Sequence, residues 1–388
     1  MKLRQLPEDF KVEEINSVNP SSSEKPYKLY VLEKRSVETF SLLRYLSKKN
    51  NIPIKELGIA GLKDRHAVTK QYLTTPSKYC IQTDKEKNFS IKLVGYVDDK
   101  LKLGDLEGNK FEITVRDIRK GEIPGMMQKA ETIDKVGVPN YFDSQRFGSA
   151  INKDFIAKHL IRKDYEQAVK SYLTLFSKSE SGAVKQEKKL ILQNWKEFSK
   201  LNLKNPHLKQ VTSEYEKSKD WLKAYKTIMP GLREMHISAY QSYLWNECVK
   251  KVLKTKINRR KLYPISYSLG ALLFYKTITE EELSSIPESF KTISPNMEPS
   301  KFELEVTTEV LSVEEVRFKD FDIKAQTGSF FVTHERRMLV RPSNFTMTQP
   351  VVDELNDRGN KSKFKVTLSF TLPKGSYATL ITKRIFNQ

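Results

Sequence analysis

Strand-like sequence comes back at the end of the chain. Lys363 to Phe370 alternates apolar and polar residues, as do short runs within residues 1 to 120, whereas Lys153 to Lys261 is lysine-rich and helix-periodic. The final fifty residues thus match the first part better than they match the middle, which describes a sheet domain interrupted by an insertion rather than independent beads on a string. The 388 residues, 38% of them hydrophobic, supply enough apolar material for a sizeable core in each of two domains.

Within the first part, Tyr27 to Lys34 reads as a strand and Ser36 to Lys49 as a helix presenting Phe40, Leu43, Tyr45 and Leu46 on one face. Further strands are expected at Ile54 to Ala60, Gln71 to Thr74, Ser90 to Gly95 and Phe111 to Val115, each ended by Gly, Asp or Pro. The middle part predicts helices over Asp164 to Phe176 and Met235 to Leu253. Strand patterns resume at Phe302 to Val310 and Ser329 to Val332, while Ser177 to Glu187 and Glu280 to Pro299 read as loops.

Charge narrows the partner. Lys and Arg number 68 against 48 Asp and Glu, a formal net charge of +20, so a polyanion is the expected partner. Met1 to Phe10 places acids where a signal peptide needs an apolar region, and no segment approaches the roughly 18 to 20 apolar residues of a membrane span. No amphipathic helix with a basic face lies near either end, so nucleic acid is favoured over an anionic membrane and a cytoplasmic protein is expected. Cys80 and Cys248 stand in unrelated contexts, which indicates neither a disulfide framework nor a zinc site and suits a reducing compartment.

Three clusters carry chemistry. In Leu57 to Gln71, the small residues Gly58, Ala60 and Gly61 permit close backbone approach, and Asp64 then sits among Lys63, Arg65 and His66. Nearby cations favour its ionised form, as suits a nucleophile or base beside a phosphate-binding surface. Asp is equally a common turn residue, and spacing alone favours a solvated turn. Val138 to Gly148 mixes aromatics with Asn140, Gln145 and Arg146, the combination that stacks and hydrogen-bonds unpaired bases, though it also suits a loop with core aromatics. Lys250, Lys251, Lys254, Lys256, Arg259, Arg260 and Lys261 follow without an intervening acid, fit for phosphates or simply for solvent. There is no phosphate-binding Gly-Lys-Ser/Thr loop, no GxGxxG, no HExxH and no HxE with CxxC, so ATPase, dinucleotide-enzyme, zinc-peptidase and zinc-deaminase readings fall.

The segment Gly61-Leu62-Lys63-Asp64-Arg65-His66-Ala67-Val68-Thr69-Lys70-Gln71 resembles the signature of the TruD family of RNA pseudouridine synthases, in which the aspartate is catalytic. Asp9-Phe10-Lys11-Val12-Glu13-Glu14 resembles that family's DFxVxE, Leu103 to Phe111 its LGxLxGNxF, and Asn140 to Gly148 its NYFGxQRFG. Ser238 to Asn246 resembles the helix opening the inserted domain, and Leu372 to Thr379 the carboxy-terminal LPxGSYAT. Asp143 stands where the family usually has Gly; if that position requires a positive φ, Asp would bear it at some cost.

The resemblance implies an α+β fold: a mixed, mostly antiparallel sheet domain with an inserted second α/β domain and an RNA cleft between them. On that basis residues 1–152 and 337–388 would form the catalytic domain and 153–336 the inserted one. It further implies a tRNA pseudouridine synthase, with the uridine at tRNA position 13 as usual target and no metal or organic cofactor. Asp64 would be the nucleophile or base, Lys63 and Arg4 would keep it charged and hold the adjacent phosphate or carboxylate network, Asn140 would bind the extruded uracil, and Phe10 and Phe142 would stack or wall it. Glu14 reads as a buried partner of a basic residue. Lys254, Lys256, Arg259 and Arg260 are candidates for the RNA backbone. No obligate protein partner is indicated. A non-catalytic RNA-binding or RNA-chaperone protein on the same scaffold is the alternative, and an RNA methyltransferase is disfavoured because no glycine-rich loop follows a strand.

Overall fold

Period-two burial draws seven segments into one sheet, in the order Ser343–Met347, Lys363–Pro373, Gly108–Arg119, Phe10–Ile15, Val68–Pro76, Tyr27–Arg35 and Phe89–Val97. Shorter strands at Lys2–Leu3, Gly58–Ile59 and Val351–Val352 pair onto this path. Pairings are antiparallel except that between Phe10–Ile15 and Val68–Pro76. The computed structural model describes residues 1–82, 88–177, 180–359 and 362–387. By packing, the chain forms one unit from Met1–Val138 with Val340–Phe386 and another on Pro139–Leu339.

This divide places Asn140 to Gly148 in the second unit, whereas a boundary at residue 152 puts it with the sheet. The reason is local: Asn246 returns both hydrogen bonds to the main chain of Phe142, and Tyr141 Oη donates to Leu273 O at 3.0 Å.

The helix expected after Ser36 is Thr39–Lys49, begun by Glu38, whose carboxylate accepts from the N–H groups of Phe40 and Ser41. It buries Leu42, Leu43 and Leu46 against Tyr30, Leu32 and Leu73. Phe40 and Tyr45, expected on the packed face, are 46% and 41% exposed because the buried stripe runs through residue 42 instead. The run Ile54 to Ala60 yields a strand only at Gly58–Ile59; after Pro53, Ile54–Glu56 is a single 3-10 turn.

A buried guanidinium ties this unit together. The long strand carries a bulge where Asp117 takes φ +58, and the neighbouring Arg116 is 5% exposed. Arg116 bonds Asp9 Oδ1 at 2.8 Å, Asp353 Oδ1 at 3.0 Å and Glu354 Oε1 at 3.1 Å. Asp353 also accepts from the main-chain N–H of Asp117.

The second unit is organised by the 27-residue helix Pro230–Lys256. Trp245, 1% exposed, donates its indole N–H to Phe290 O at 3.1 Å. Lys301–Val313, whose β-branched content suggests a strand, is a helix: Ser300 and Glu303 form a capping box, and Val306, Val310 and Leu311 are buried at helical spacing. Two expected loops also hold helices, Gly182–Gln193 and Glu280–Ser285, and Ser329 to Val332 forms no strand. Lys178 and Ser179, within the first of those loops, lie outside the described residues.

Replacing Arg116 by Met leaves Asp9 and Asp353 buried without their cation, and urea unfolding is expected to show a loss of about 3 to 5 kcal/mol. Burial pushes the Asp353 carboxyl up, but the Asp117 N–H, the Asn356 amide and Arg116 outweigh it and hold it below its ordinary value. That contribution is therefore complete above about pH 4 and lost as the pH falls through the lowered pKa; the variant should lose part of the acid dependence as well.

Candidate active site

Asp64 follows a stretch of backbone squeezed against its neighbours. A Cβ on Gly58 would lie 2.5 Å from Thr74 Oγ1 and 2.6 Å from Leu101 O, so glycine is required there. After Ile59 the chain leaves regular structure, and the side chains of Lys63 and Asp64 part company. Lys63 turns inward: its Nζ is 2.7 Å from Glu14 Oε2, with the side chains 5% and 0% exposed. Asp64 stays accessible at 18%. Its Oδ1 accepts the His66 N–H at 2.9 Å, and its Oδ2 lies 2.6 Å from Arg4 Nη1.

Asp64 is thus both things its sequence suggested, a turn residue through one oxygen and an ion-paired carboxylate through the other. Arg4 adopts φ +56 and lays its guanidinium 4.1 Å over the Phe10 ring. Phe10 is 4% exposed and meets Phe111 edge to face, so it packs beneath Arg4. Lys63 makes its ion pair with Glu14, the acid expected to be the buried partner of a basic residue, and Arg4 makes the one with Asp64. A residue not singled out in the sequence, Lys34, donates to the carbonyls of Val37, Lys63 and Asp64.

In the second unit, Asn140 and Phe142 are joined through Arg336, which sequence reasoning also missed. The Arg336 guanidinium donates to Asn140 O and Oδ1, each at 2.9 Å, and lies 4.1 Å from the centre of the Phe142 ring. Asn140 Nδ2 donates to Arg337 O at 3.1 Å, and the amide retains a second N–H. Phe142 is half-buried with its ring at 83° to Trp245. Asp143 has φ −98, so it pays no left-handed penalty and instead caps Ser144–Phe147 by accepting the Ser144 N–H.

The basic run divides. Lys250, Lys251 and Lys261 meet Glu247, Glu309 and Glu282, carboxylates brought from along and beyond the run. Lys256 lies 5.0 Å from the Phe302 ring centre, while Lys254, Arg259 and Arg260 are exposed. Among the described residues no group of three or more His, Cys, Asp or Glu is placed to hold a metal ion, and no helix is long and apolar enough to cross a membrane.

A family model for tRNA pseudouridine synthase D (TruD) matches residues 1–264 and 292–385. The chain belongs to the TruD family. It is 42% identical to the "Probable tRNA pseudouridine synthase D 2" of Methanocaldococcus jannaschii, covering all of this chain and 92% of that one. It is 38% identical to the "Probable tRNA pseudouridine synthase D 1" of Methanococcus maripaludis over the whole of both chains, and 29% identical to the "tRNA pseudouridine synthase D" of Aquifex aeolicus over 100% and 98%. The crystal structure of the Methanosarcina mazei TruD protein superposes with a TM-score of 0.74 at 25% identity, covering 100% of this chain and 93% of that one. The mixed, mostly antiparallel α+β fold agrees with that likeness.

Arg336→Met would strip the acceptors on Asn140 of their donor while filling similar volume. We expect a loss of about 1 to 3 kcal/mol by chemical denaturation, with Arg336→Lys intermediate because an ammonium cannot span both oxygens.

Proposed function

We propose that this TruD-family chain isomerises a uridine of tRNA, the one at position 13, to pseudouridine, with Asp64 as the reacting carboxylate. The observation that carries the reading is the state of that side chain. Asp64 is accessible, its turn is fixed by its own Oδ1, and its Oδ2 is oriented by Arg4.

Two routes satisfy the chemistry. Carboxylate attack on ribose C1′ breaks the bond to N1 and forms an ester; the uracil turns, and C5 displaces the carboxylate from C1′. Alternatively the carboxylate removes the C2′ proton, N1 departs to leave a glycal, and the proton returns when C5 bonds to C1′. In both, N1 gains a proton, C5 loses one, and product and substrate are isomers, so no redox partner is needed. Arg4 holds the carboxylate in one rotamer and moves no proton itself.

Asn140, oriented by Arg336, offers its remaining N–H to a uracil edge, and Phe142 offers ring surface for stacking, worth on the order of 1 to 3 kcal/mol per base. The target must leave its stack at a cost of a few kcal/mol, which phosphate contacts by a chain of formal charge +20 offset. Lys254, Arg259 and Arg260 are the exposed members of the basic run fit for such contacts. A cytoplasmic location accords with this substrate.

Asp64→Asn is nearly isosteric but can neither attack nor abstract. Single-turnover conversion, followed by carbodiimide labelling of pseudouridine, should be abolished while tRNA affinity changes by less than about tenfold, or 1.4 kcal/mol. Turnover near wild type would remove Asp64 from the reaction, and a wild-type protein that binds tRNA without converting it would favour a pure RNA binder.

Binding should weaken steeply with salt, each phosphate contact adding about 0.7 to 0.9 to the log-log slope. Replacing Lys254, Lys256, Arg259 and Arg260 together by Gln should lower that slope by about 2 to 3 and leave the chemical step alone. An unchanged slope would mean that these cations meet solvent.

A further inference from the structure

Lys34 occupies a core position. Tyr30 and Leu32, on the same phase of its strand, are fully buried, and Lys34 is itself 1% exposed. Its ammonium donates to three main-chain oxygens: Val37 O at 2.8 Å, Asp64 O at 3.0 Å and Lys63 O at 3.4 Å. Thr39 Oγ1 reinforces the last by donating to Lys63 O at 3.3 Å. Among the described residues no carboxylate lies within ion-pair distance of it.

An ammonium buried without a counter-ion costs stability, and a nonpolar side chain would pack the same strand position without that cost. What the charge does here is bind the carbonyls on either side of the Asp64 Cα, in a stretch that forms no helix or strand. We propose that Lys34 is a positioning residue for Asp64, fixing the main chain of the 63–64 turn so that the carboxylate is presented in one orientation. The proposal rests on the reading of Asp64 as the reacting group. Lys34 touches neither the substrate nor the reacting atoms.

The charged groups facing Lys34 are Asp64, Glu38 and Lys63. Burial brings its ammonium down to about 8, against the pull of Asp64 and Glu38 and with the push of Lys63. Unfolded lysine keeps its proton to about pH 10.4, so between about 8 and 10 the unfolded state binds more protons and this group makes the fold more stable as the pH rises. Loop order and turnover move the opposite way, because the neutral amine donates to fewer carbonyls. A lysine with no part in positioning Asp64 would show the same rise in stability with turnover and loop order unchanged.

The test uses the full-length wild type, Lys34→Met and Lys34→Arg with a tRNA transcript. Wild-type single-turnover rate should fall about tenfold per unit above about pH 8, with tRNA affinity held within about threefold and no matching drop in melting temperature. Lys34→Met should be slower by about 100-fold at pH 7 and lose the alkaline limb, while Lys34→Arg retains activity at pH 9. Amide hydrogen exchange of the 61–67 peptide, read on the free protein and corrected for intrinsic pH dependence, should quicken in Lys34→Met and in wild type above about pH 8.

Unchanged exchange, or a Lys34→Met rate within about threefold of wild type with the limb intact, overturns the proposal. If Lys34→Met does not fold, the wild-type exchange and melting profiles against pH still decide it. A protein that converts no uridine yet shows the exchange response defeats the functional reading alone; conversion without that response defeats the positioning role alone.

Discussion

One buried charge sets the position of the candidate chemistry. Arg116 binds Asp9 through one oxygen, and the other oxygen of Asp9 accepts the Leu6 N–H at 2.8 Å, which fixes the turn between Arg4 and Phe10. That turn carries the left-handed Arg4, packs its guanidinium on Phe10 and aims it at Asp64. The route from Arg116 to the carboxylate is thus a short series of charge-assisted and main-chain bonds, the first of which loses its donor if the guanidinium is removed. The bulge at Asp117 belongs to the same device, since it directs one main-chain N–H to Asp353 while Arg116 faces inward.

The Asp64 turn is held from two sides by different cations. Arg4 acts on the carboxylate and Lys34 on the backbone, while Lys63 is diverted to Glu14. Three positive side chains around one aspartate would lower its reactivity as well as fix it. Distributing them over a carboxylate, three carbonyls and a second acid leaves Asp64 oriented by one ion pair and 18% exposed. In the other unit the same economy recurs: Arg336 serves Asn140 and Phe142 at once, by hydrogen bonds in the guanidinium plane and by contact of its face with the ring.

How much of this was legible depended on whether the cause was local. Strands such as Tyr27–Arg35 and Lys363–Pro373 announce themselves by alternation, and the Asp64 segment by its family signature. Phe302 to Val310 carries a strand-like pattern in Val306, Thr307, Thr308 and Val310, while the Ser300–Glu303 capping box at its start signals the helix that forms. Phe40 and Tyr45 misled because aromatics need not lie on the packed face of a helix. Lys34 was detectable in principle: a lysine in phase with Tyr30 and Leu32 is a charge in a core register. Arg336 gave no such signal, since its acceptors lie 196 residues earlier in the chain.

The pairing of Gly108–Arg119 with Lys363–Pro373 also has a consequence in time. A ribosome adds about 5 to 20 residues per second, so the roughly 250 residues between these strands take on the order of 10 to 50 s to emerge. Throughout that interval the earlier strand, with Phe111, Ile113 and Val115 on its inner face, has one edge open, and Arg116 has Asp9 but not Asp353. Lys34, Arg4 and Asp64 are all synthesised before it begins. The nascent chain therefore carries Asp64 and the cations around its turn early and closes the sheet beneath them last, so the edge of Gly108–Arg119 stays open to aggregation until synthesis is nearly complete.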